Sequence, residues 1–405
     1  MLCFLPTMLM LWVCVCLAAS GCQAAALTGR FSSALACADG GPHRGSSRMC
    51  ASAAIQVRTA TVGSATAGTA TFSVAVAPAT SDVGPPTPPI LVIPPIGVGI
   101  DRTICGPLLE AWTREPRTSA LHCADVIGMG DSTKRPMSAP PLRPREWAEQ
   151  LMGYAKSLGQ PVIVVGQSNL CTVALEMVAL QNESQPESAD AQPTLAALVL
   201  VGPPAIEAIS AQKSDEEINK VWRVVSSPLG ALLFRFARRR RFLESFSKKN
   251  LFADPSQVDG DYLDICTRGA QETATRHAVF SFVSGTWRND YRPLLAQLEL
   301  PVLVVSGRDV KASGGTSQDK GKRVDRTSTL NLLKWFGKRG GRFEQVGRDL
   351  GADPTKKLDE WASAMPNARV ETRLTSGWNV LVYEIPVELS RLLDAYAYKV
   401  KQFCE

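Results

Sequence analysis

Ser168 stands where a short apolar strand pattern gives way to a helical one. Residues 162–165 are all valine or isoleucine, Gly166 follows them, and an apolar helical pattern begins at Thr172. This order predicts a nucleophile elbow, a sharp strand-to-helix turn that exposes a hydroxyl beside helix N-terminal amides. The chemistry would be attack of the Ser168 hydroxyl on a carbonyl carbon, with Gln167 lining the same pocket.

Position 170 departs from the usual elbow pattern Gly-x-Ser-x-Gly. The second glycine of that pattern lets helix and strand approach closely, and Leu170 stands in its place. We therefore expect a looser or altered turn. Cys171 is a second candidate nucleophile, because helix N-terminal amides lower the pKa of a thiol, but we expect its side chain to face the core.

A nucleophilic serine also needs an acid and a general base. Asp309, near the end of the predicted strand at 302–305, is the candidate acid, and a turn aspartate that bonds its own loop is an equal alternative. The base is expected in the loop after the last strand, where Gly377 is followed by Trp378 and Asn379 instead of histidine. Neither side chain accepts a proton from serine near neutral pH, because indole N–H only donates and an amide is not basic.

The chain has three histidines that could replace the missing base. His43 lies in the N-terminal segment, and His122 lies inside a strand pattern that is expected to be covered on both faces, as a core histidine would be. His277 lies in a helical stretch and is the only available general base. A hydrogen bond between helices is the commoner role for a histidine in such a place.

Backbone amides are the candidate oxyanion donors. The amide of Asn169, directly after Ser168, is the first of them. The second is expected in the loop that follows the first core strand, where Pro94 and Pro95 have no N–H. Ile96 or Gly97 must therefore supply it.

The elements that position these residues alternate between strand and helix, which predicts an α/β protein with a mostly parallel, doubly wound sheet. The predicted strands are short apolar runs at residues 90–93, 120–124, 162–165, 195–201, 302–305 and 369–374. Residues 71–76 would add an edge strand, although their composition also suits a linker. Residues 203–291 break the alternation with helical patterns at 216–225, 229–246 and 261–283, which predicts an inserted helical cap.

Three segments resemble the α/β-hydrolase fold in their order and spacing. They are residues 91–99, which occupy the place of the strand and oxyanion loop, residues 125–132, which match the turn Asp-x-x-Gly-x-Gly-x-Ser, and the elbow at Ser168. The resemblance implies a core formed by residues 87–202 and 292–405, with the cap at 203–291 between its halves. It also implies the order serine, acid, histidine, of which this chain lacks the histidine.

A narrower resemblance links residues 95–102, 146–151 and 278–287 to α/β-hydrolase-like proteins of cyanobacteria and plastids. Members of that group often lack a full triad. This likeness implies a plastid protein in which the missing histidine is a property of the group.

The first 86 residues differ in composition from the core. Residues 1–22 contain an apolar run followed by small residues, which predicts a signal peptide, and residues 23–86 are rich in Ala, Ser, Thr and Gly and poor in acids, as transit peptides are. Together they predict a bipartite presequence for the plastid. An ordinary secreted protein with a low-complexity linker is the alternative. The five cysteines after residue 86 are an odd, scattered set, which favours free thiols in a reducing compartment.

Charge and motifs limit the partners. The chain has 405 residues and a formal charge of +6, with a basic run at Arg238, Arg239, Arg240 and Arg241. We interpret the run as a solvated helix face, with contact to an anionic membrane surface or ligand as the alternative. No phosphate loop, dinucleotide fingerprint, metal-ligand spacing or aromatic-basic pattern occurs, so no cofactor, metal or nucleic acid is expected.

Two functions remain open. The first is a plastid serine hydrolase acting on an ester or other small apolar carbonyl substrate, with Ser168 as nucleophile, Asp309 as acid and His277 as base. The second is a non-catalytic protein that keeps the pocket and binds an apolar ligand or partner. The missing histidine, Leu170 and the two prolines favour the second, because loss of a general base removes on the order of two to four decades of rate.

Overall fold

The computed structural model describes residues 55–64, 68–81, 86–184, 192–307 and 354–404. One sheet of eight strands organises them. The strands are β1 (Gln56–Ser64), β2 (Gly68–Ala77), β3 (Ile90–Ile93), β4 (Leu121–Ala124), β5 (Val162–Gln167), β6 (Leu195–Val201), β7 (Val302–Gly307) and β8 (Val370–Thr375).

The strands lie in the order β1-β2-β4-β3-β5-β6-β7-β8. The pairs β1–β2 and β2–β4 are antiparallel, and every pair from β4 to β8 is parallel. The strand order reverses between β3 and β5, so the loops after these two strands leave the same edge of the sheet side by side. Ligands of open α/β sheets bind at such a switch point.

The six predicted core strands are confirmed, each within two residues of its predicted bounds. They were recognisable because strands β3 to β7 are buried along their whole length and therefore consist of continuous apolar runs.

The boundary of the low-complexity segment at residue 86 needs correction. Residues 56–77, which lie inside that segment, form a hairpin that extends the sheet beyond β4. Composition hid it because β1 is built from small and polar residues and is largely exposed. In β2, Phe72, Val74 and Val76 are buried, and these alternate residues face the core. Residues 1–54 of the predicted presequence, including His43, lie outside the described residues.

Helices cover both faces of the sheet. On one face α2 (Pro144–Ser157), α3 (Cys171–Glu183) and α11 (Pro354–Ala364) pack on Leu91, Ile93 and their neighbours. On the other face α1 (Gly106–Thr113), α12 (Leu381–Glu384) and α13 (Pro386–Cys404) pack on Ile90 and Val92. Successive residues of β3 thus point to opposite cores, as the two-residue period of a strand requires.

Helices between β6 and β7 form the region that the sequence predicted as a cap. They are α4 (Ile206–Ser210), α5 (Asp215–Val225), α6 (Pro228–Ala237), α7 (Arg240–Asn250), α8 (Gly260–Gly269), α9 (Arg276–Ser284) and α10 (Arg292–Ala296). Two predicted long helices are each divided in the structure. The stretch 229–246 breaks after Ala237, and 261–283 breaks at a turn that Glu272 caps by accepting from the Ala274 amide. No helix within the described ranges is long and apolar enough to span a bilayer.

Candidate functional site

The turn at Ser168 has the strained backbone of an elbow. Ser168 has a φ of 52°, and it is the only non-glycine residue with positive φ in the described part of the chain. A 3-10 turn over Ser168–Leu170 joins β5 to α3. Such strain costs about 1–3 kcal/mol and persists only where the surroundings enforce it. The structure therefore has the sharp turn that the sequence predicted, and Ser168 is half-buried at its apex.

The close approach of helix and strand is supplied by Gly166. A Cβ at this position would lie 2.8 Å from the Cα of Cys171 and 2.9 Å from the Cβ of Ala174. Leu170 is fully buried with a φ of −78°, so it fits the turn without displacing α3. The looser turn that Leu170 suggested is therefore not observed: one glycine is enough for this elbow.

The loop after β3 lies beside the elbow, because Ile93 pairs with Gly166 in parallel register. Ile96 and Gly97 are half-buried in this loop, as the candidate oxyanion donor Asn169 is in the elbow. The topology thus brings the predicted donor segments to the same edge of the sheet as Ser168.

Gly99 allows this loop to pack closely on the cap. It has a φ of 76°, and a Cβ there would lie 1.9 Å from the carbonyl oxygen of Cys266 in α8. A Cβ on Gly269 would in turn lie 2.6 Å from the carbonyl oxygen of Gly99. Backbone therefore packs on backbone between the loop and α8, which leaves no room for a side chain at either glycine.

An internal ion pair fixes the far end of the loop. Arg102 is paired with Asp125, whose side chain is fully buried, and Arg102 Nη2 lies 2.8 Å from Asp131 Oδ2. The Asp125 carboxylate also accepts from the backbone N–H groups of Arg102 and Asp131, both at 2.9 Å. Burial raises the pKa of Asp125, and the Arg102 charge opposes that shift.

The turn Asp-x-x-Gly-x-Gly-x-Ser therefore has a structural role, because its hydrogen bonds hold the loop ends in place. Gly130 is required in it because a Cβ would lie 2.2 Å from Asp125 Oδ1. From α2, Gln150 accepts from the Ile127 N–H and donates to the Asp125 carbonyl, both at 2.8 Å, and Trp147 Nε1 donates to the Ile127 carbonyl at 2.9 Å. The sequence marked this turn but gave no role to Arg102 or Gln150.

The loop expected to carry histidine contacts the elbow directly. Gln167 Nε2 donates to the backbone carbonyl of Asn379 at 3.0 Å, while Gln167 Oε1 is buried without a hydrogen-bond partner among the described residues. The Asn379 side chain turns to the cap, where its Nδ2 donates to the Asn250 carbonyl at 3.0 Å. The residue at the histidine position therefore connects cap and core instead of facing Ser168 with a basic nitrogen.

Glu384 holds this loop in place. Its carboxylate accepts from the backbone N–H groups of Trp378 at 2.9 Å, Val380 at 3.1 Å and Ala253 at 2.7 Å. Burial raises the pKa of Glu384, and the backbone hydrogen bonds oppose that shift. Glu384, which follows the position of the missing histidine in the chain, therefore fixes the backbone of the loop.

The two described histidines are both engaged elsewhere. His122 Nδ1 lies 2.9 Å from the Tyr154 hydroxyl inside the core, and burial lowers its pKa to about 4. His277 is fully buried, its Nε2 donates to the Pro140 carbonyl at 3.1 Å, and its ring packs edge-on against Trp222. Burial lowers the pKa of His277 as well. Among the described residues, the hydrogen bonds of the His277 ring go to the backbone carbonyls of Ala139 and Pro140 and not to Ser168.

The thiols are buried as well. Cys105, Cys123, Cys171 and Cys266 are free and buried. Cys171 donates to the Gly166 carbonyl at 3.2 Å, and burial raises its pKa, which removes it as a nucleophile. The candidate acid Asp309 lies outside the described residues. Among those described, no group of three or more His, Cys, Asp or Glu side chains could hold a metal ion.

Comparison with known proteins gives structural likeness only. No protein-family model and no curated protein matches the chain. An esterase from Thermogutta terrifontis is similar in structure, with a TM-score of 0.52, 17% identity, and coverage of 85% of this chain and 99% of that one. A serine hydrolase from Cycloclasticus zankles has a TM-score of 0.51 and 14% identity, and covers 84% of this chain and 98% of its own.

An esterase from Exiguobacterium antarcticum has a TM-score of 0.50 and 12% identity, and the match covers 84% of this chain and 98% of that one. Likeness at such low identity establishes a fold and not an activity. The strand order, the strained elbow and the helices between β6 and β7 agree with it, and the chain has the α/β-hydrolase fold.

Proposed function

We propose that this α/β-hydrolase-fold protein keeps the serine elbow, lacks the general base, and binds an apolar ligand beneath its cap without hydrolysing it. The observation that carries the proposal is the loop at 377–380. Trp378 and Asn379 stand where histidine is expected, Glu384 accepts from the Trp378 amide, and the Asn379 side chain donates to the cap. These contacts leave no group in the loop that can accept a proton from Ser168.

The proposal is also supported by the side chains at the sheet edge. Ile96 and Val98 in the loop after β3 and Trp378 in the loop after β8 are only half-buried, as Ser168 and Asn169 are. Ligand pockets combine apolar walls with a few polar groups that fix orientation. A pocket formed by these five residues would have this composition.

A serine hydrolase is the second candidate. It is favoured by the positive φ of Ser168, a strained conformation that such enzymes use to expose the nucleophile. The residue roles would be Ser168 as nucleophile, Asp309 as acid, His277 as base, and the amides of Asn169 and Ile96 as oxyanion donors. The substrate would be an ester or other small apolar carbonyl compound. His277 would first have to leave the Pro140 carbonyl and its packing against Trp222.

A fluorophosphonate probe separates the two candidates. We expect the purified full chain to remain unlabelled under conditions that label a known serine esterase, because an unactivated serine hydroxyl is a weak nucleophile. Circular dichroism shows that the unlabelled protein is folded. Labelling that is lost in Ser168→Ala would contradict the proposal and establish the hydrolase, and loss of that labelling in His277→Ala would identify the base.

We also propose that the protein acts in the plastid, on the basis of the composition of its N-terminal segment. The expected result is that residues 1–54 direct a fluorescent fusion protein to the plastid of an alga with a complex plastid. Residue 54 is the right end of the fusion because β1 begins at Gln56. A fusion that appears in the medium instead would support the secreted alternative and refute the bipartite presequence.

A further inference from the structure

A cavity of about 580 Å³ lies at the cap, away from the elbow loops described above. It is bounded by the loop at 135–137, by α6, and by the segment that leads into α9. Apolar and cationic side chains share its wall, namely Met137, Ala231, Phe234, Arg135, Arg235, Arg238 and Arg276. Its volume lies in the range of small-molecule sites, which is about 300–1,000 Å³.

Three of its arginines have no acidic partner among the described residues. Arg135 lies 2.6 Å from Glu146, so its charge is balanced. In the described part of the chain no acidic side chain pairs with Arg235, Arg238 or Arg276. Guanidinium groups bind phosphate and carboxylate through paired N–H donors. The cavity therefore has the chemistry of a site for an anionic group that also contacts hydrocarbon.

Exposed apolar side chains lie on the same helices. Leu232 and Phe236 on α6 are 53% and 41% exposed, and Phe246 on α7 is 38% exposed. Arg235 and Arg239 are also exposed. In the sequence, Arg235 lies between Leu232 and Phe236, and Arg239 follows Phe236. Helices that lie in a membrane interface combine large apolar side chains with lysines and arginines. A long arginine stem lets the charged group stay at the headgroup level while neighbouring apolar side chains are buried.

The basic run after α6 is divided by the structure. Arg238 lines the cavity, Arg239 lies with its guanidinium 5.4 Å from the centre of the Phe236 ring, and Arg240 pairs with Asp264. Three of the four consecutive arginines that the sequence offered as one charged surface therefore have different surroundings. Arg235 and Arg276, outside the run, join Arg238 at the cavity.

We propose that this cavity binds the phosphate headgroup of an anionic membrane lipid while α6 and α7 lie on the bilayer surface. The unpaired arginines would bind the phosphate, Phe234 and Met137 would contact the first carbons of the lipid, and Leu232 and Phe236 would enter the interface. The proposal does not depend on chemistry at Ser168. It assigns the cap a ligand and a surface that the elbow does not require.

Co-sedimentation with vesicles tests the proposal. We expect the full chain to bind vesicles of equimolar phosphatidylcholine and phosphatidylglycerol, to bind pure phosphatidylcholine vesicles much less, and to be released by salt. The triple variant Arg235→Gln, Arg238→Gln and Arg276→Gln should bind about 100-fold more weakly, at about fivefold for each arginine near the surface. The double variant Leu232→Ser and Phe236→Ser should lose about tenfold or more.

A second triple variant controls for net charge. Arg114→Gln, Arg292→Gln and Arg373→Gln remove the same charge from exposed side chains on other elements, and vesicle binding should change little. The full chain is used in every sample, so the apolar residues at 1–22 contribute equally, and thermal melting shows that each variant is folded. An equal loss of vesicle binding in both triple variants would overturn the proposal, and so would the absence of vesicle binding by the unaltered chain.

Glycerol 3-phosphate distinguishes a lipid from a soluble phosphate. It carries the headgroup phosphate without acyl chains, so we expect it to raise the melting temperature of the chain far less than the anionic vesicles do. If it stabilises the chain as strongly as the vesicles, and the cavity triple variant abolishes that effect, the ligand is a soluble phosphate and the lipid assignment is wrong.

Discussion

Replacing Arg102 by methionine is expected to lower the free energy of unfolding by about 3–5 kcal/mol. The Arg102 side chain is 11% exposed and the Asp125 side chain is fully buried. Methionine fills much of the space of the arginine stem but leaves the Asp125 carboxylate in the core without its counter-charge. Urea unfolding followed by circular dichroism measures the loss.

An exposed arginine provides the matched control. Arg114 is 68% exposed and lies 4.0 Å from Glu110, so Arg114→Met should change the stability by no more than about 0.5 kcal/mol. The double variant Arg102→Met and Asp125→Asn should recover part of the loss, because the unpaired charge is removed with its partner. Equal losses in Arg102→Met and Arg114→Met would show that the ion pair does not stabilise the fold.

The unfolding free energy that Arg102→Met loses should depend on pH in a defined direction. Burial raises the pKa of Asp125 in the folded protein. A carboxyl group with a raised pKa favours folding most when it is protonated, and this contribution is lost as the pH rises through its folded-state pKa. The counter-charge matters only to the ionised form. The difference between the unaltered chain and Arg102→Met should therefore shrink as the pH falls below the pKa of Asp125.

Most of the sheet could be predicted because its central strands are buried on both faces. Such strands need continuous apolar residues, and the runs at β3 to β7 are visible without knowledge of their neighbours. The hairpin of β1 and β2 lacks this signal, since β1 is largely exposed and its residues are small or polar. Its place in the sheet follows from pairing with β4, which is a tertiary contact.

The site was predictable only as far as local sequence determines it. The elbow at Ser168 depends on a strand, a glycine and a helix that are consecutive in the chain. The contacts that decide the chemistry are not local. Glu384 binds the Ala253 amide across 131 positions, and Gln167 binds Asn379 across 212. The hydrogen bond of His277 to Pro140 joins residues 137 positions apart. The sequence could therefore offer His277 as the only available base but not show that it makes a structural hydrogen bond, which is the commoner role for such a histidine.

Replacing Glu384 by alanine is expected to cost several kcal/mol of unfolding free energy. The carboxylate accepts from three backbone N–H groups, and a buried amide left without an acceptor costs about 1–3 kcal/mol. The loop at 377–380 and the end of α7 should loosen together, because the amides of Trp378 and Ala253 bind the same side chain. Faster hydrogen exchange at Ala253, Trp378 and Val380 would report this directly.

A neighbouring glutamate supplies the control for this variant. Glu388 is exposed in the first turn of α13, so Glu388→Ala should lose no more than about 1 kcal/mol of helix-terminal stabilisation. Glu384→Gln should fall between the two, because its one carbonyl oxygen can still accept. If Glu384→Ala costs no more than Glu388→Ala, the loop is held by its packing and not by the carboxylate.

The difference in stability between the unaltered chain and Glu384→Ala should depend on pH, and this dependence shows that the titrating group of the loop has a structural role. Burial raises the pKa of Glu384 above its ordinary value, so its contribution to stability is complete below that ordinary value and declines as the pH rises through the folded-state pKa. Glu384→Ala removes this decline, and the difference between the two proteins should narrow as the pH rises. A catalytic loop would place a proton acceptor beside Ser168. Here the titrating group of the loop faces its own backbone, and we expect its protonation to change stability without creating a base for the serine.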